Sequence, residues 1–266
     1  MTTKPVVAIS ADRGIPKSQL DKLALQTALA LASPNISVDF LLHITTDKLE
    51  LRKVDNSTKK PNKNPLAISI DFVEGKTQHR RLQGGGKGQD IAKAVGLNKL
   101  SDPTVLDLTA GMGGDAFVLA SLGATLTMVE RNPVVHALLK DALGRAKLKS
   151  DAELQGILAR LSLIKLSAFD YLHQLNEADY PDIIYLDPMF PSRNKSAQVK
   201  KEMQFFHDIV GADEDSESVF LLALNKAKKR IVVKRPRLAE KLTEMVQPSF
   251  EITGKSTRYD VYLPIK

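Results

Sequence analysis

The sequence predicts an α/β fold: a mostly parallel sheet with a C-terminal antiparallel hairpin, preceded by a small N-terminal α/β appendage. Three observations carry this reading. From Thr104 onward, short apolar runs alternate with helical stretches; glycines cluster directly after the first run; and two strand-like runs near the C-terminus are joined through Gly254-Lys255-Ser256-Thr257-Arg258. Thr104 to Leu108 is the first apolar strand, followed by a helix through Phe117, Val118, Leu119 and Leu122. Thr125 to Val129 follows as a strand, Asn132 to Ala146 as a helix, then strands at Leu161 to Leu166, Asp182 to Leu186 and Arg230 to Val233. Such alternation builds βαβ units around a parallel sheet buried on both faces. Phe250 to Thr253 and Tyr259 to Leu263 form the hairpin and lie at one edge of that sheet.

The chain divides near Gly75 to Asp102, giving a small α/β subdomain over 1–75 and the main domain over 76–266. In the first, Pro5 to Ile9 reads as a strand, and Ser18 as the N-cap of a helix with Leu20, Leu23, Ala24, Thr27 and Leu31 on one face. Strand-like stretches follow at Ile36 to Ile44, Leu49 to Val54 and Leu66 to Val73, with the polar segment 55–65 as a loop.

Composition narrows the function classes. The chain has 266 residues, 43% hydrophobic and 26% charged, as in an ordinary globular protein. It has no Cys, which excludes disulfides, a thiol nucleophile and thiolate zinc sites. Met1 to Ser10 lacks the layout of a signal peptide, and no run approaches the roughly 18 apolar residues of a membrane span, so the expectation is a cytoplasmic protein with no membrane partner. Its five His are scattered without metal-ligand spacing, so no metal is expected. Lys+Arg 38 against Asp+Glu 31 gives a formal net charge of +7, which favours a polyanionic partner. Oligomeric state is open.

Residues with chemical potential gather after the strands. In Asp107-Leu108-Thr109-Ala110-Gly111-Met112-Gly113-Gly114-Asp115, glycines let the chain turn sharply and approach a ligand, and the following helix aims its N-terminal N–H groups at the same space. Ala116 stands where a full dinucleotide fingerprint has its third glycine. Glu130, nineteen residues beyond Gly111, ends the second strand, where a carboxylate can accept from both hydroxyls of an adenosine ribose. The alternative is a surface carboxylate paired with Arg131. Ser167-Ala168-Phe169-Asp170 follows the third strand and suits contacts to an adenine, or Asp170 caps a helix beginning at Tyr171. Gly84-Gly85-Gly86-Lys87-Gly88 lacks Walker spacing, and Asp213-Glu214-Asp215 with Glu217 reads as a solvated acidic loop.

Asp187-Pro188-Met189-Phe190-Pro191 follows the fourth strand and so faces the same cradle. A nucleobase amine is a poor nucleophile because its lone pair is delocalised. The Asp187 carboxylate and the Pro188 carbonyl can hold its two N–H groups and turn the lone pair toward an electrophile, while Phe190 offers a stacking face.

Asp187 to Phe190 resembles the Asp/Asn-Pro-Pro-Tyr/Phe motif of S-adenosylmethionine-dependent amino-methyltransferases. From about Leu49 to the C-terminus, the chain is similar to the ribosomal RNA small subunit methyltransferase J family. The matching stretches are His79-Arg80-Arg81 with Gly84-Gly85-Gly86, Asp115 to Ala120, Glu130 to Val134, Tyr185 to Pro191, and Val232-Val233-Lys234-Arg235-Pro236. The resemblance implies a Rossmann-like methyltransferase fold, S-adenosylmethionine as cofactor, small-subunit ribosomal RNA as partner, and methylation of a guanine N2. It implies cofactor contacts at Gly114 and Asp115, Glu130 and Arg131, Ser167 and Ala168, and Asp187, beside Asp107, Gly111 and Gly113 from the glycine turn. The family commonly has Arg at Gly114 and a second Ser at Ala168, which leaves those two positions to backbone contacts.

Three basic groups fit an RNA partner: Arg80, Arg81, Lys87 and Lys93; Arg193, Lys195, Lys200 and Lys201; and Lys226, Lys228, Lys229, Arg230, Lys234, Arg235 and Arg237. Two rivals stand beside this reading. An NAD-dependent oxidoreductase explains Gly111, Gly113 and Glu130 but leaves Asp-Pro-Met-Phe without a purpose, and a non-catalytic basic RNA-binding protein predicts RNA binding without methyl incorporation.

Overall fold

A computed structural model describes residues 5–54, 66–74, 86–189, 208–211 and 213–264. The chain forms two compact units: Met1–Asp71 with Asn132–Arg145 and Met189–Ala212, and Phe72–Arg131 with Ala146–Pro188 and Asp213–Lys266.

The first unit is built on a four-stranded sheet in the order β1-β2-β3-β4, namely Val7–Ala11, Phe40–Ile44, Leu49–Lys53 and Ala67–Ile68. β1 and β2 are parallel and the remaining pairs antiparallel. Helix α1 (Lys17–Thr27) begins after Pro16, one residue before the Ser18 expected as its N-cap, and no side chain caps it. Proline supplies the extended approach (φ −59°, ψ 138°), which leaves Ser18 inside the first turn. Leu31, expected on the helix face, lies beyond the helix and bridges to Ile9. The stretch Leu66 to Val73 keeps its alternation, with Ile68, Ile70 and Phe72 buried, but pairs with β3 only over Ala67–Ile68. The 55–65 loop expectation lies outside the described residues. His43, one of the discounted histidines, is 6% exposed, with its two ring nitrogens on Ser10 Oγ (2.7 Å) and Asp12 Oδ1 (3.0 Å).

The second unit carries a seven-stranded sheet in the order β10-β11-β9-β8-β5-β6-β7. Its strands are β5 (Thr104–Asp107), β6 (Thr125–Val129), β7 (Leu161–Ile164), β8 (Ile183–Leu186), β9 (Arg230–Pro236), β10 (Phe250–Thr253) and β11 (Thr257–Tyr262). β7-β6-β5-β8-β9 is parallel throughout, and β11 runs antiparallel to both β9 and β10. The described helices that follow α1 are α2 (Asp90–Val95), α3 (Gly114–Ser121), α4 (Pro133–Lys147), α5 (Ala152–Leu158), α6 (Ala168–Gln174) and α7 (Ser216–Ala223). Central β8 is buried along its whole length. On one side, Leu106, Ile184, Leu186, Ile231, Val233 and Tyr262 pack with Leu172 of α6 and Val219, Phe220 and Ala223 of α7. Both faces are apolar because a central parallel strand must bury both.

β5 has β6 on one side and β8 on the other, so the connections leave it in opposite directions. This is the topological switch point of the sheet, where a crevice opens beyond the carboxyl ends of the strands.

Candidate functional site

Two segments meet at that switch point. The first is the turn after β5. Gly111 and Gly113 take φ +53° and +71°, the left-handed region that glycine enters without strain, and Gly113 is the N-cap residue of α3. Gly113 donates to the Ala110 carbonyl at 2.8 Å and Phe117 to the Gly113 carbonyl at 2.9 Å, which closes the turn onto the helix. Gly114 stands at the first position of α3, and a Cβ there would meet open space. Glu130, just past β6, is 7% exposed, and its Oε2 accepts the Gly111 N–H at 2.9 Å. Glu130 is therefore not the surface carboxylate of the alternative reading, although its charge still acts on Arg131. The Arg131 guanidinium instead reaches Asp215 at 2.9 Å and Asp213.

The second segment is Asp187-Pro188, directly after β8. The Asp187 N–H donates to Thr109 Oγ1 at 2.6 Å, while the Thr109 N–H donates to Asp107 Oδ1 at 3.0 Å. Thr109 thus ties the turn after β5 to the turn after β8. The Asp187 side chain is 39% exposed, so a carboxylate stands at the crevice with its backbone fixed.

Between them lies a network whose members sit in three of the family-like stretches but whose mutual contacts the sequence did not reveal. Lys234 Nζ on β9 donates to Asp187 Oδ2 at 2.7 Å and to Asp115 Oδ2 at 2.8 Å, and the buried Tyr185 hydroxyl on β8 donates to the same Asp115 oxygen at 2.8 Å. Lys234 was grouped with RNA-facing cations by sequence. The signal against that was its position: a Lys directly after the apolar run Ile231-Val232-Val233, still within the strand, needs a partner when that strand is interior to the sheet. Tyr185, in a strand buried end to end, likewise needs one for its hydroxyl.

The electrostatics follow from this crowding. Asp107 is 2% exposed; burial above all, then the nearby carboxylates of Asp115, Asp187 and Glu130, push its pKa up to about 7, against the opposing hydrogen bond from the Thr109 N–H. Burial disfavours the charge of Lys234, but Asp187 and Asp115 outweigh it and hold the ammonium above the usual lysine range. Burial raises Asp187, and Lys234 is the strongest influence in the opposite direction. Four carboxylates surround the glycine turn, a setting suited to a cationic ligand and hostile to a pyrophosphate.

Other expected residues fall as follows. Ser167 is the N-cap of α6: its Oγ accepts the Asp170 N–H at 3.0 Å and meets Asp170 Oδ2 at 2.6 Å. Asp170 is therefore inside the helix rather than the cap of one beginning at Tyr171, because Ser167, three residues earlier, takes the N-cap position. Ala168 is the first residue of that helix, and Phe169 is 42% exposed and packs on His173. The acidic stretch at 213–217 is engaged by Arg131 through Asp213 and Asp215, and Glu217 lies in the first turn of α7. In the third basic group, Arg230 donates to the Ala94 carbonyl, Arg235 is 6% exposed on the Glu240 carbonyl, and Lys229 pairs with Asp182. The residues left facing solvent there are Lys228, Lys229 and Arg237. Phe190, Arg80, Arg81, Arg193, Lys195, Lys200 and Lys201 lie outside the described residues.

Comparison with known proteins agrees with this geometry. Residues 23–264 match the family model described as "Putative SAM-dependent methyltransferase". The chain is 50% identical over 254 residues to ribosomal RNA small subunit methyltransferase J of Vibrio campbellii, covering 93% of each chain. It is 48% identical over 264 residues, 97% of each chain, to the protein of that name from Aliivibrio fischeri. The crystal structure of a SAM-dependent methyltransferase from Neisseria gonorrhoeae superposes with a TM-score of 0.72 at 39% identity, covering 97% of this chain and 96% of that one. An acid-lined glycine turn at the switch point, with Asp-Pro at the next strand end, thus occurs in a chain that belongs to the ribosomal RNA small subunit methyltransferase J family of S-adenosylmethionine-dependent methyltransferases.

Proposed function

We propose that this protein transfers the methyl group of S-adenosylmethionine to the exocyclic N2 of a guanine in small-subunit (16S) ribosomal RNA, and that it does so in the cytoplasm, where that RNA is made and assembled. The carrying observation is the placement of Asp187: half-exposed at the end of β8, its N–H on Thr109, beside a glycine turn lined by carboxylates. Names of relatives at 48–50% identity over nearly the whole chain supply the RNA class.

The residues fit the cofactor. Gly111 and Gly113 already hold the backbone conformation of a close-approach cradle, and the Glu130 carboxylate is fixed against that turn by the Gly111 N–H. Gly111, Gly113, Gly114, Asp115, Glu130, Arg131, Ser167 and Ala168 are proposed to hold it, with Asp107 and Asp187 supplying negative charge. When bound, S-adenosylmethionine supplies an electrophilic methyl on a cationic sulfonium. The Asp187 carboxylate accepts one N–H of the guanine amine and the Pro188 carbonyl the other, which orients the lone pair for in-line attack. Asp187 would take the proton that the amine sheds on methylation and pass it to water. A paired guanine hides its amine, so the base is unpaired or extruded when it reacts, and Phe190 is assigned as its stacking platform. Exposed Arg237, just past the carboxyl end of β9, remains for a phosphate contact. The carboxylate lining argues against the NAD reading, because a dinucleotide brings two phosphates to the same turn.

The test maps modified nucleotides in 16S ribosomal RNA from cells with and without the gene. One N2-methylguanine disappearing with the gene, and returning with purified protein and labelled cofactor, is the expected result. Unchanged modification and no label transfer would leave only the RNA-binding reading.

A further inference from the structure

We propose that Lys234 is a positioning residue that keeps the Asp187 side chain aimed and ionised for the substrate amine, by bridging Asp187 and Asp115 from strand β9. This rests on the reading of Asp187 as the acceptor of that amine.

The geometry is specific. Nζ of Lys234 meets Oδ2 of Asp187 at 2.7 Å and Oδ2 of Asp115 at 2.8 Å. Among the described residues, Oδ1 of Asp187 carries no hydrogen bond and is the atom left for an incoming N–H. The Asp187 main chain is held separately by Thr109. With N–H and Oδ2 both fixed, the carboxylate has one orientation and Oδ1 one direction.

Ionisation matters as much as aim. A guanine amine brings N–H donors, so an acceptor-only carboxylate serves it, whereas a protonated carboxyl presents an O–H on one oxygen. The surroundings favour the protonated form. Burial opposes the charge of Asp187, and Asp115 on α3 and Asp213 ahead of α7 oppose it further. Asp107 on β5 and Glu130 after β6 add to the crowding; Tyr185 on β8, 1% exposed, donates to Asp115, and Tyr259 on β11 stands opposite Lys234 in the ladder. Lys234 is the countercharge that acts against them. With its side chain 26% exposed and two carboxylates on its ammonium, it is poorly placed to serve as a phosphate contact as well.

The test uses the full-length protein and the variants Lys234→Met, Lys234→Arg and Asp187→Asn. Aspartate carboxyl carbons are labelled with carbon-13 and titrated by NMR in the cofactor-free protein, with Asp187 assigned from the Asn variant. The pH dependence of kcat/KM is then measured on ribosomal RNA. In Lys234→Met the Asp187 midpoint is expected to rise by about 1 to 3 pH units, the range an adjacent opposite charge produces, and the acidic limb of kcat/KM to rise with it. Lys234→Arg, which keeps the charge, restores most of both. S-adenosylhomocysteine affinity and the thermal midpoint show that the variants are folded. An Asp187 midpoint unmoved in folded Lys234→Met overturns the proposal. So does an unmoved pH profile accompanied by weaker RNA binding and a salt slope reduced by about one, which marks a phosphate contact. If Lys234→Met does not fold, Lys234→Arg carries the test: a wild-type midpoint and rate support the proposal, and their loss in a folded protein overturns it. Full turnover by Asp187→Asn would instead strike the underlying reading of Asp187 and leave the ion bridge intact.

Discussion

Replacing Asp107 with Asn should stabilise the protein, and by an amount that depends on pH. Asp107 is 2% exposed, and its pKa rises from 3.8 to about 7 through burial first and through Asp115, Asp187 and Glu130 after that. Below 3.8 the group is protonated in both folded and unfolded chains and makes no difference. Between 3.8 and about 7 the unfolded chain releases this proton while the folded one keeps it, so stability falls as pH rises. Above about 7 the loss is complete. A difference of roughly 3 pK units at 1.36 kcal/mol each gives a penalty on the order of 4 kcal/mol. Asn keeps the Oδ1 acceptor for the Thr109 N–H, 3.0 Å away, and removes the titration. Urea unfolding of both proteins at pH about 4, about 6 and about 8 should therefore show an advantage for Asp107→Asn that starts near zero and grows to a few kcal/mol. The same variant should bind S-adenosylhomocysteine more weakly, since that carboxylate is retained at a stability cost in the cofactor site. A stability difference that is the same at all three pH values would refute the assignment of a displaced titration to Asp107.

Two further perturbations probe other parts of the structure. Glu130→Gln keeps an acceptor for Gly111 but loses the charge; exchanging a charge-assisted bond for a neutral one costs about 1 to 2 kcal/mol, so calorimetry should find S-adenosylhomocysteine bound roughly 5- to 30-fold more weakly. Asp260 is 0% exposed and meets Arg258 through Nε at 2.6 Å and Nη2 at 3.0 Å; Asp260→Ala leaves that guanidinium with Glu251, at 3.9 Å, and two backbone carbonyls, and should lower unfolding free energy by about 3 kcal/mol in denaturant melts.

The sequence was most informative where one rule acted alone. β6 begins and ends where its apolar run does, because burial decides it, and the mostly exposed β10 keeps its expected bounds through antiparallel pairing with β11. The reading fell short where two rules competed. Leu66 to Val73 has the period of a strand and buries Ile68, Ile70 and Phe72, yet pairing stops at Ile68; alternation reports which side chains are inside and is silent on whether the backbone has a neighbour. At the start of α1, Pro16 won over Ser18, and at α6 Ser167 won over Asp170, since a cap is chosen by the geometry of the incoming chain as well as by residue type. Within the site, Gly111, Gly113, Glu130 and Asp187 were legible because each follows a strand in a recognisable spacing. Lys234, Tyr185 and Thr109 were not, because their roles depend on strand order. Only when β8 lies between β5 and β9 do Asp187, Asp115 and Lys234 share one space. A lysine counted among surface cations thus becomes an interior countercharge through topology alone.

The most direct test of the account is single-turnover methyl transfer to 16S ribosomal RNA by Asp187→Asn, with S-adenosylhomocysteine affinity measured on the same sample. Orientation of the amine by the carboxylate predicts a rate reduced by roughly two to three orders of magnitude in a folded protein that still binds the cofactor product. A rate within a few-fold of the native protein would contradict it.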